Sequence, residues 1–254
     1  MLGYIVRMFV EPGDVVVTSA GAYPTFNYHV QGFGGDLQFV PYNKDHEDGE
    51  ALLVAAKKHQ AKLIYFANPD NPMGSWWDAS YVESMIKSVP EGSMLILDEA
   101  YGEFAPAGTL PPFDMDNCRV IRLRTFSKAY GLAGMRVGYA IGNDELIGEF
   151  NKVRNHFGLS RLSQIAALAA LQDQAHLNQV QQQVQVSLRR IQQIALDNQL
   201  KPLPTAANFL TIDCGRDGDY GITVMKGLIE RGVFVRMPGV APLNRCIRIT
   251  AGLP

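Results

Sequence analysis

Lys128 and Arg136 are the residues in the middle of this chain whose types and spacing could do chemistry. They lie in RTFSKAYGLAGMRVGY, residues 124–139, with no other charge between them. A lysine becomes a covalent catalyst when its neutral amine forms a Schiff base with a carbonyl, and desolvation or nearby positive charge supplies the neutral form. A lysine in a small-residue loop is equally compatible with an exposed position, so the segment alone leaves both interpretations open.

Arg136 has two interpretations as well. With the hydroxyls of Thr125 and Ser127 its guanidinium group could form a phosphate cup, because a guanidinium binds phosphate through paired N–H donors. Taken alone, an arginine at this position is equally typical of a solvated or salt-bridged side chain.

Two further polar residues follow apolar runs. Asp98 ends MLILD, and an acid at the end of a buried strand needs a partner. One interpretation is a helix cap or a structural salt bridge. The other is an ion pair with a protonated ring nitrogen, which would make a bound heteroaromatic ring an electron sink. Asn71 lies in ANPDNPMG, residues 67–74, whose prolines and glycine predict a turn. Each signal is weak alone.

The first half of the chain alternates strand-like and helical segments. The predicted strands are 14–20, 36–42, 62–69, 94–101, 119–127 and 136–142, with helices over 49–60 and 80–89. This alternation predicts an α/β fold with a mostly parallel central sheet flanked by helices, and the continuous apolar runs predict that both sheet faces are covered. Ligands of such sheets bind at the carboxyl ends of strands, which is where Asn71, Asp98 and Lys128 lie.

A different pattern begins at residue 143. Long helices are predicted from 144 to 200, the Gln-rich part included, because its apolar residues keep a helical spacing. Strands at 208–214, 233–237 and 246–250 and a helix over 222–232 follow. We therefore expect a large domain over 1–175 and a smaller α+β domain over 176–254.

Composition narrows the function classes. The chain has 254 residues, is 47% hydrophobic and carries a net charge of −2, which gives no electrostatic case for nucleic acid or an anionic membrane surface. No apolar run has the length of a membrane span, and the five histidines show no metal-ligand spacing. Three separated cysteines predict reduced, buried thiols in a cytoplasmic protein.

Taken together, the motifs resemble the fold-type I pyridoxal-phosphate aminotransferases, and within them the histidinol-phosphate aminotransferase-like group. The resemblance covers practically the whole chain and is carried in order by ANPDNPMG, LILDEAYGEF, RTFSKAYGLAGMRVGY, AANFLTID and CIRITAG. It implies pyridoxal 5'-phosphate as cofactor and a homodimer, and the histidine spacing already predicts no metal. It also implies amino transfer from histidinol phosphate, an aromatic amino acid or another amino donor to a 2-oxo acid such as 2-oxoglutarate.

The resemblance assigns a role to each site residue. Lys128 carries the cofactor aldimine and moves the proton between the substrate Cα and the cofactor C4′, and Asp98 pairs with the pyridinium nitrogen. For the cofactor, the resemblance implies contacts of Asn71 and Tyr101 with the phenolic oxygen, of Tyr23 with the ring face, and of Thr125, Ser127 and Arg136 with the phosphate. For the substrate, it implies that Arg248 and Asn208 bind the carboxylate and that Arg236 binds a second anionic group.

Three features of the family have no match in this sequence: the upstream glycine-containing phosphate loop, the N-terminal arm and the final helix of the small domain. We therefore expect a chain that is truncated at both ends. Two alternatives to amino transfer stay open. One is a decarboxylase of the threonine-phosphate type, and the other is a non-catalytic remnant of the fold that acts as an interaction module.

Overall fold

Short apolar segments form a six-stranded sheet in the first part of the chain. The computed structural model describes residues 1–252. The strands are β1 (Val15–Ser19), β2 (Asp36–Val40), β3 (Leu63–Ala67), β4 (Met94–Asp98), β5 (Val120–Thr125) and β6 (Gly138–Ile141). Their order is β2-β1-β3-β4-β5-β6, and only β6 runs antiparallel to its neighbour. The predicted mostly parallel sheet is therefore confirmed.

Helices cover both faces of this sheet. They are α1 (Leu2–Phe9), α2 (Thr25–Gly32), α3 (Gly49–His59), α4 (Ala79–Lys87) and α5 (Asp144–Val153). One apolar cluster joins α1, α2 and α5 to one face, and another joins α3 and α4 to the other. Burial on both sides explains why every residue of β3 is apolar or aromatic and buried.

The second part of the chain contains a small antiparallel sheet. Its elements are α6 (Arg161–Gln172), α7 (Gln174–Asp197), β7 (Lys201–Pro202), β8 (Phe209–Asp213), α8 (Gly218–Glu230) and β9 (Cys246–Thr250), and the strand order is β7-β8-β9. One face of α7 packs on β8 and β9. The domain division at residue 175 stays a prediction. It falls in the first turn of α7, whose early residues pack beside Tyr101 and Phe209.

The structure differs from the predicted elements in several places. Residues 233–237 form no strand. Arg236 makes a single bridge to Arg248, and the next pairing position, Pro238, has no N–H to donate. Helix α2 was not predicted, because only Phe26 and Val30 are buried in its eight residues. Cys118 is exposed, contrary to the expectation of a buried thiol.

Gly74 ends the turn that follows β3, and this position requires glycine for two reasons. Its φ of +74° lies in the left-handed region. A Cβ added there would also lie 2.3 Å from the Thr205 hydroxyl oxygen. The turn that carries Asn71 therefore packs directly on the segment leading into β8.

Replacement of Gly74 by Ala is expected to destabilise the chain more than replacement of Gly92. Gly92 has a similar φ of +80° but open space around its Cβ position, so Gly92→Ala carries only the backbone cost of about 1–2 kcal/mol. Thermal unfolding of both variants measures the difference. Equal losses of Tm would mean that the contact with Thr205 relaxes without cost.

Candidate active site

One pocket opens where β3, β4 and β5 end. Its volume is about 960 Å³, within the range of small-molecule sites. The pocket brings together eight of the predicted site residues: Tyr23, Asn71, Asp98, Tyr101, Thr125, Ser127, Lys128 and Arg136. The carboxyl ends of adjacent parallel strands meet at one edge of a sheet, so residues distant in sequence converge there.

Asp98 is the last residue of β4, and its carboxylate is held from two sides. The Tyr65 hydroxyl donates to Oδ2 over 2.6 Å, and the Ala100 N–H donates to Oδ1 over 3.0 Å. Burial raises the pKa of Asp98, while these two bonds and the charge of Lys128 lower it. Asp98 caps no helix and forms no salt bridge within 4.0 Å among the described residues.

Lys128 lies three residues after β5, and its environment favours the neutral amine. Burial lowers the pKa of Lys128, the guanidinium groups of Arg248 and Arg136 lower it further, and the Asp98 carboxylate opposes them. The ammonium group lies 5.2 Å from the centre of the Tyr101 ring. The lysine is therefore partly desolvated in the pocket, unlike a lysine in an exposed loop.

The segment after Lys128 presents Arg136 to the pocket from an unusual backbone conformation. Arg136 has a φ of +55°, and its Nη1 donates to the Ala133 carbonyl over 2.7 Å. The Thr125 hydroxyl is engaged within the same loop: it accepts from the Ser127 N–H over 3.1 Å and donates to the Val137 carbonyl over 3.3 Å. Thr125 therefore shapes the backbone of the predicted phosphate cup.

Asn71, Tyr101 and Arg248 form a connected group. The Asn71 amide donates to the Tyr101 hydroxyl over 3.5 Å, and Arg248 Nη1 donates to the amide oxygen of Asn71. The Arg248 guanidinium lies 4.8 Å from the centre of the Phe209 ring. Strand β9 thus reaches the pocket edge through Arg248, although Arg248 does not line the pocket itself.

Asn208 and Arg236 lie outside the pocket lining. The Asn208 carbonyl accepts from the Ala251 N–H over 2.9 Å. Arg236 is exposed, and its backbone exchanges both hydrogen bonds with Arg248. Because residues paired in this way project to the same side, the two arginines concentrate positive charge beside Asn71.

Sequence reasoning missed Tyr65 and Glu99. Tyr65 is buried in β3 and stacks on Phe26 with ring centres 4.7 Å apart, so its hydroxyl requires the partner that Asp98 provides. The signal was a tyrosine within an otherwise apolar strand. For Glu99 the signal was two arginines spaced two apart in RVIRLRT, which puts both on one face of β5.

Glu99 forms the buried ion cluster directly behind Asp98. Its Oε1 accepts from Arg122 Nε over 2.9 Å, and its Oε2 accepts from Arg124 Nε over 2.9 Å. The Glu99 side chain is fully buried and that of Arg122 is 6% exposed. This cluster ties the end of β4 to β5 and so fixes the backbone between Asp98 and Thr125.

The residues present fit pyridoxal 5'-phosphate. A partly desolvated amine, a partly buried carboxylate and an exposed guanidinium line one pocket, and these match an aldehyde, a ring nitrogen and a phosphate. Arg248 Nε is buried without a hydrogen-bond partner in the described part of the chain. Such an orphaned donor is satisfied when an anion binds beside it.

Residues 1–252 contain no cluster of three or more His, Cys, Asp or Glu side chains that could hold a metal ion. Among the helices of the same residues, none has both the length and the apolar character needed to cross a membrane.

Comparison with known proteins decides the family. The family model for aminotransferase class I and II matches residues 1–254. The chain belongs to this family. The curated histidinol-phosphate aminotransferase of Geobacillus sp. (strain WCH70) is 34% identical over 251 residues, which are 98% of this chain and 68% of the relative. This chain thus spans about two thirds of the relative's length.

Solved structures agree with this assignment. Histidinol-phosphate aminotransferase from Sinorhizobium meliloti, solved in complex with pyridoxal-5'-phosphate, is 54% identical with a TM-score of 0.97, over 98% of this chain and 69% of that one. Aspartate aminotransferase from Thermus thermophilus with maleate shares the fold at 20% identity and a TM-score of 0.85, over 98% of this chain and 68% of that one.

The chain is therefore a pyridoxal-phosphate-dependent aminotransferase with the fold of that group. The comparisons favour amino transfer over the decarboxylase and the non-catalytic remnant that the sequence left open.

The Glu99 cluster yields a stability prediction. Glu99→Gln removes the anion between two arginines and leaves a buried guanidinium uncompensated, so the free energy of unfolding is expected to fall by about 3–5 kcal/mol. Glu149→Gln is the matched control, because the Glu149–Lys152 pair is exposed and is worth about 0–1 kcal/mol. Denaturant unfolding of both variants checks this. Similar losses in the two would contradict a structural role for the buried cluster.

Proposed function

We propose that Lys128 is the residue that binds the cofactor and moves the proton during amino transfer. When bound, pyridoxal phosphate supplies an aldehyde that takes up the amino group and a ring that accepts electrons. Lys128 Nζ would hold the cofactor at its aldehyde carbon and would be freed when the amino donor takes its place there. The freed amine would take the proton from the donor Cα and deliver it at the cofactor C4′. Water would then release the donor skeleton as a carbonyl compound, with the amino group left on the cofactor. A 2-oxo acid then receives the amino group by the same steps in reverse.

The observation that carries this proposal is the convergence of three charged residues on one amine. Arg248, Asp98 and Arg136 all act on the pKa of Lys128, and burial lowers it most. A neutral amine is the nucleophilic form, and a lowered pKa raises its share near neutral pH. Asp98 lines the same pocket, and in the proposed site its carboxylate pairs with the protonated ring nitrogen.

The remaining contacts orient the cofactor. Asn71 and Tyr101 donate to the phenolic oxygen, and their hydrogen bond supports this pairing. Tyr23 lines the pocket and covers the ring face. The other end of the cofactor, its phosphate, is bound by the loop residues Thr125, Ser127 and Arg136.

For the amino donor we propose histidinol phosphate, with 2-oxoglutarate as acceptor. Support comes from the names of the curated relatives and from the two arginines at the edge of the site. In this proposal Arg248 and Asn208 bind the polar end that bears the amine, and Arg236 binds the phosphate. A homodimer is also part of the proposal and rests on the family resemblance, whereas a cytoplasmic location rests on the three separated cysteines.

The role of Lys128 is tested by borohydride reduction in the presence of pyridoxal phosphate. Wild-type protein is expected to turn yellow, to lose the visible band on reduction, and to carry the reduced cofactor on Lys128 by peptide mass spectrometry. Lys128→Ala should remain colourless, whereas Lys87→Ala, which removes an exposed lysine of α4, should behave as wild type. A cofactor fixed on another lysine, or on none, would refute the assignment.

The substrate proposal is tested with Arg236→Ala. Loss of a charge-assisted contact should lower kcat/KM for histidinol phosphate by about tenfold to a hundredfold and leave an unphosphorylated amino donor nearly unaffected. Arg231→Ala is the control, since this exposed arginine caps the end of α8. Steady-state kinetics with both donors measures the effect. Equal losses for the two donors would remove the phosphate role of Arg236.

A further inference from the structure

A second acidic cluster is buried at the same edge of the sheet, beyond the pocket. Glu47 and Asp70 are each 1% exposed. The Ser19 hydroxyl donates to Glu47 Oε2 over 2.9 Å, and the Tyr42 hydroxyl donates to Asp70 Oδ1 over 2.9 Å. Burial raises the pKa of Glu47 most, and the neighbouring Asp70 carboxyl raises it further. We call these four residues the acid cluster.

The hydrogen bonds indicate which carboxyl group holds a proton. Asp70 accepts from the Tyr42 hydroxyl and from the Met73 N–H over 3.1 Å, so both of its oxygens have donors. Glu47 Oε1 is buried and has no donor among residues 1–252. Two adjacent buried carboxyl groups do not both ionise readily. If Glu47 carries the proton, its Oε1 can donate a hydrogen bond to Asp70. The negative charge then lies on Asp70, whose two oxygens already have donors.

Two carboxyl groups of the cluster titrate: burial raises the pKa of Asp70 to about 6, so above that pH the proton of Glu47 is the main variable. Tyr42 and Tyr65 stay neutral across the neutral range, because burial raises the pKa of both. The Arg248 and Tyr101 side chains face Asp70 from β9 and from the segment after β4. His46 precedes Glu47 and packs on Trp77, and burial lowers the pKa of this histidine.

Asp70 holds the turn that carries Asn71. Its carboxylate accepts from Met73, its backbone N–H donates to the Ser75 carbonyl over 2.9 Å, and its carbonyl accepts from Gly74 over 3.2 Å. Asn71 is the next residue and contacts Arg248 and Tyr101. The position of the Asn71 amide therefore depends on the orientation of Asp70.

We propose that Glu47 holds the single proton of this buried carboxyl pair and that the resulting hydrogen bond to Asp70 positions Asn71 for the cofactor. Glu47 is a positioning residue, since it acts through Asp70. The second half of this proposal rests on the proposed function of Asn71, whereas the first half does not.

The proton is tested by the pH dependence of Tm in the cofactor-free chain. A carboxyl that keeps its proton in the folded state makes the folded state bind more protons than the unfolded state, so wild-type stability falls as pH rises above about 5. Glu47→Gln places an N–H donor there at every pH. Above the pKa of Asp70, which is about 6, the Tm of this variant minus that of wild type is expected to grow by about 3 °C per pH unit between about pH 6.5 and pH 8.

Glu91→Gln is the control for this measurement, because it makes the same change at an exposed carboxylate. Its Tm should follow wild type throughout. A Glu47→Gln difference that does not change with pH would overturn the assignment of the proton, whether or not the chain binds pyridoxal phosphate.

The positioning role is tested by titration with pyridoxal phosphate at pH 7.5. Glu47→Ala should weaken binding about tenfold, and Glu47→Gln should restore it to within about twofold of wild type. Unchanged binding in both variants would overturn the positioning role. Failure of wild-type protein to bind would refute the proposed function and this role together, while the Tm profile would still decide the proton. Should Glu47→Ala not fold, the Glu47→Gln profile carries the test.

Discussion

Negative charge buried at the carboxyl edge of the sheet has to be compensated there, and this requirement determines how the site is built. Asp98 is only partly exposed at the end of β4, so the Tyr65 hydroxyl, the Ala100 N–H and the positive charge of Lys128 offset the cost of its burial. The compensation works in both directions. Asp98 raises the pKa of Lys128, against burial and the charges of Arg248 and Arg136. Burial lowers the pKa of Lys128 most, and the Asp98 charge that the tyrosine and the backbone leave unsatisfied opposes this lowering.

The acid that follows Asp98 serves a different purpose. Asp98 meets Tyr65 of β3, whereas Glu99 meets Arg122 and Arg124 of β5, so two consecutive acids bind to the two neighbouring strands. The Glu99 cluster places full ionic bonds beside the pocket without adding a net negative charge to it. Because Arg124 is followed by Thr125, the same cluster fixes the start of the loop that leads to Lys128 and Arg136. Two adjacent residues therefore have different roles: Asp98 faces the pocket, and Glu99 fixes the strand that leads to Lys128 and Arg136.

The sequence predicted the parts of this arrangement that follow from local pattern. Apolar runs located all six strands of the main sheet, and the rule for parallel sheets placed Asn71, Asp98 and Lys128 at one edge. What it could not supply were contacts between segments distant in sequence, such as Tyr65 with Asp98. Isolated elements with few buried residues, such as α2, were also missed. The prediction of a strand at 233–237 was wrong. It was based on the run of Val, Phe and Arg, whereas the pairing with β9 stops after Arg236 because Pro238 has no N–H to donate. Family roles for Asn208 and Arg236 rest on motif position, and the pocket lining does not include them.

Three buried acids or acid pairs lie at this sheet edge, and each is neutralised by what its surroundings offer. Glu99 has two arginines, and Asp98 accepts hydrogen bonds from a tyrosine hydroxyl and a backbone N–H. Within residues 1–252 Glu47 forms no salt bridge, so a retained proton is the means left to reduce its charge. This choice has a consequence for substrate binding. With one proton shared, Glu47 and Asp70 carry a single negative charge near Arg248 in place of two. The Arg248 guanidinium, whose Nε has no partner within residues 1–252, then keeps positive charge for an incoming anion. If Glu47 were ionised, its negative charge would offset the positive charge of Arg248 and weaken the attraction of Arg248 for an incoming anion.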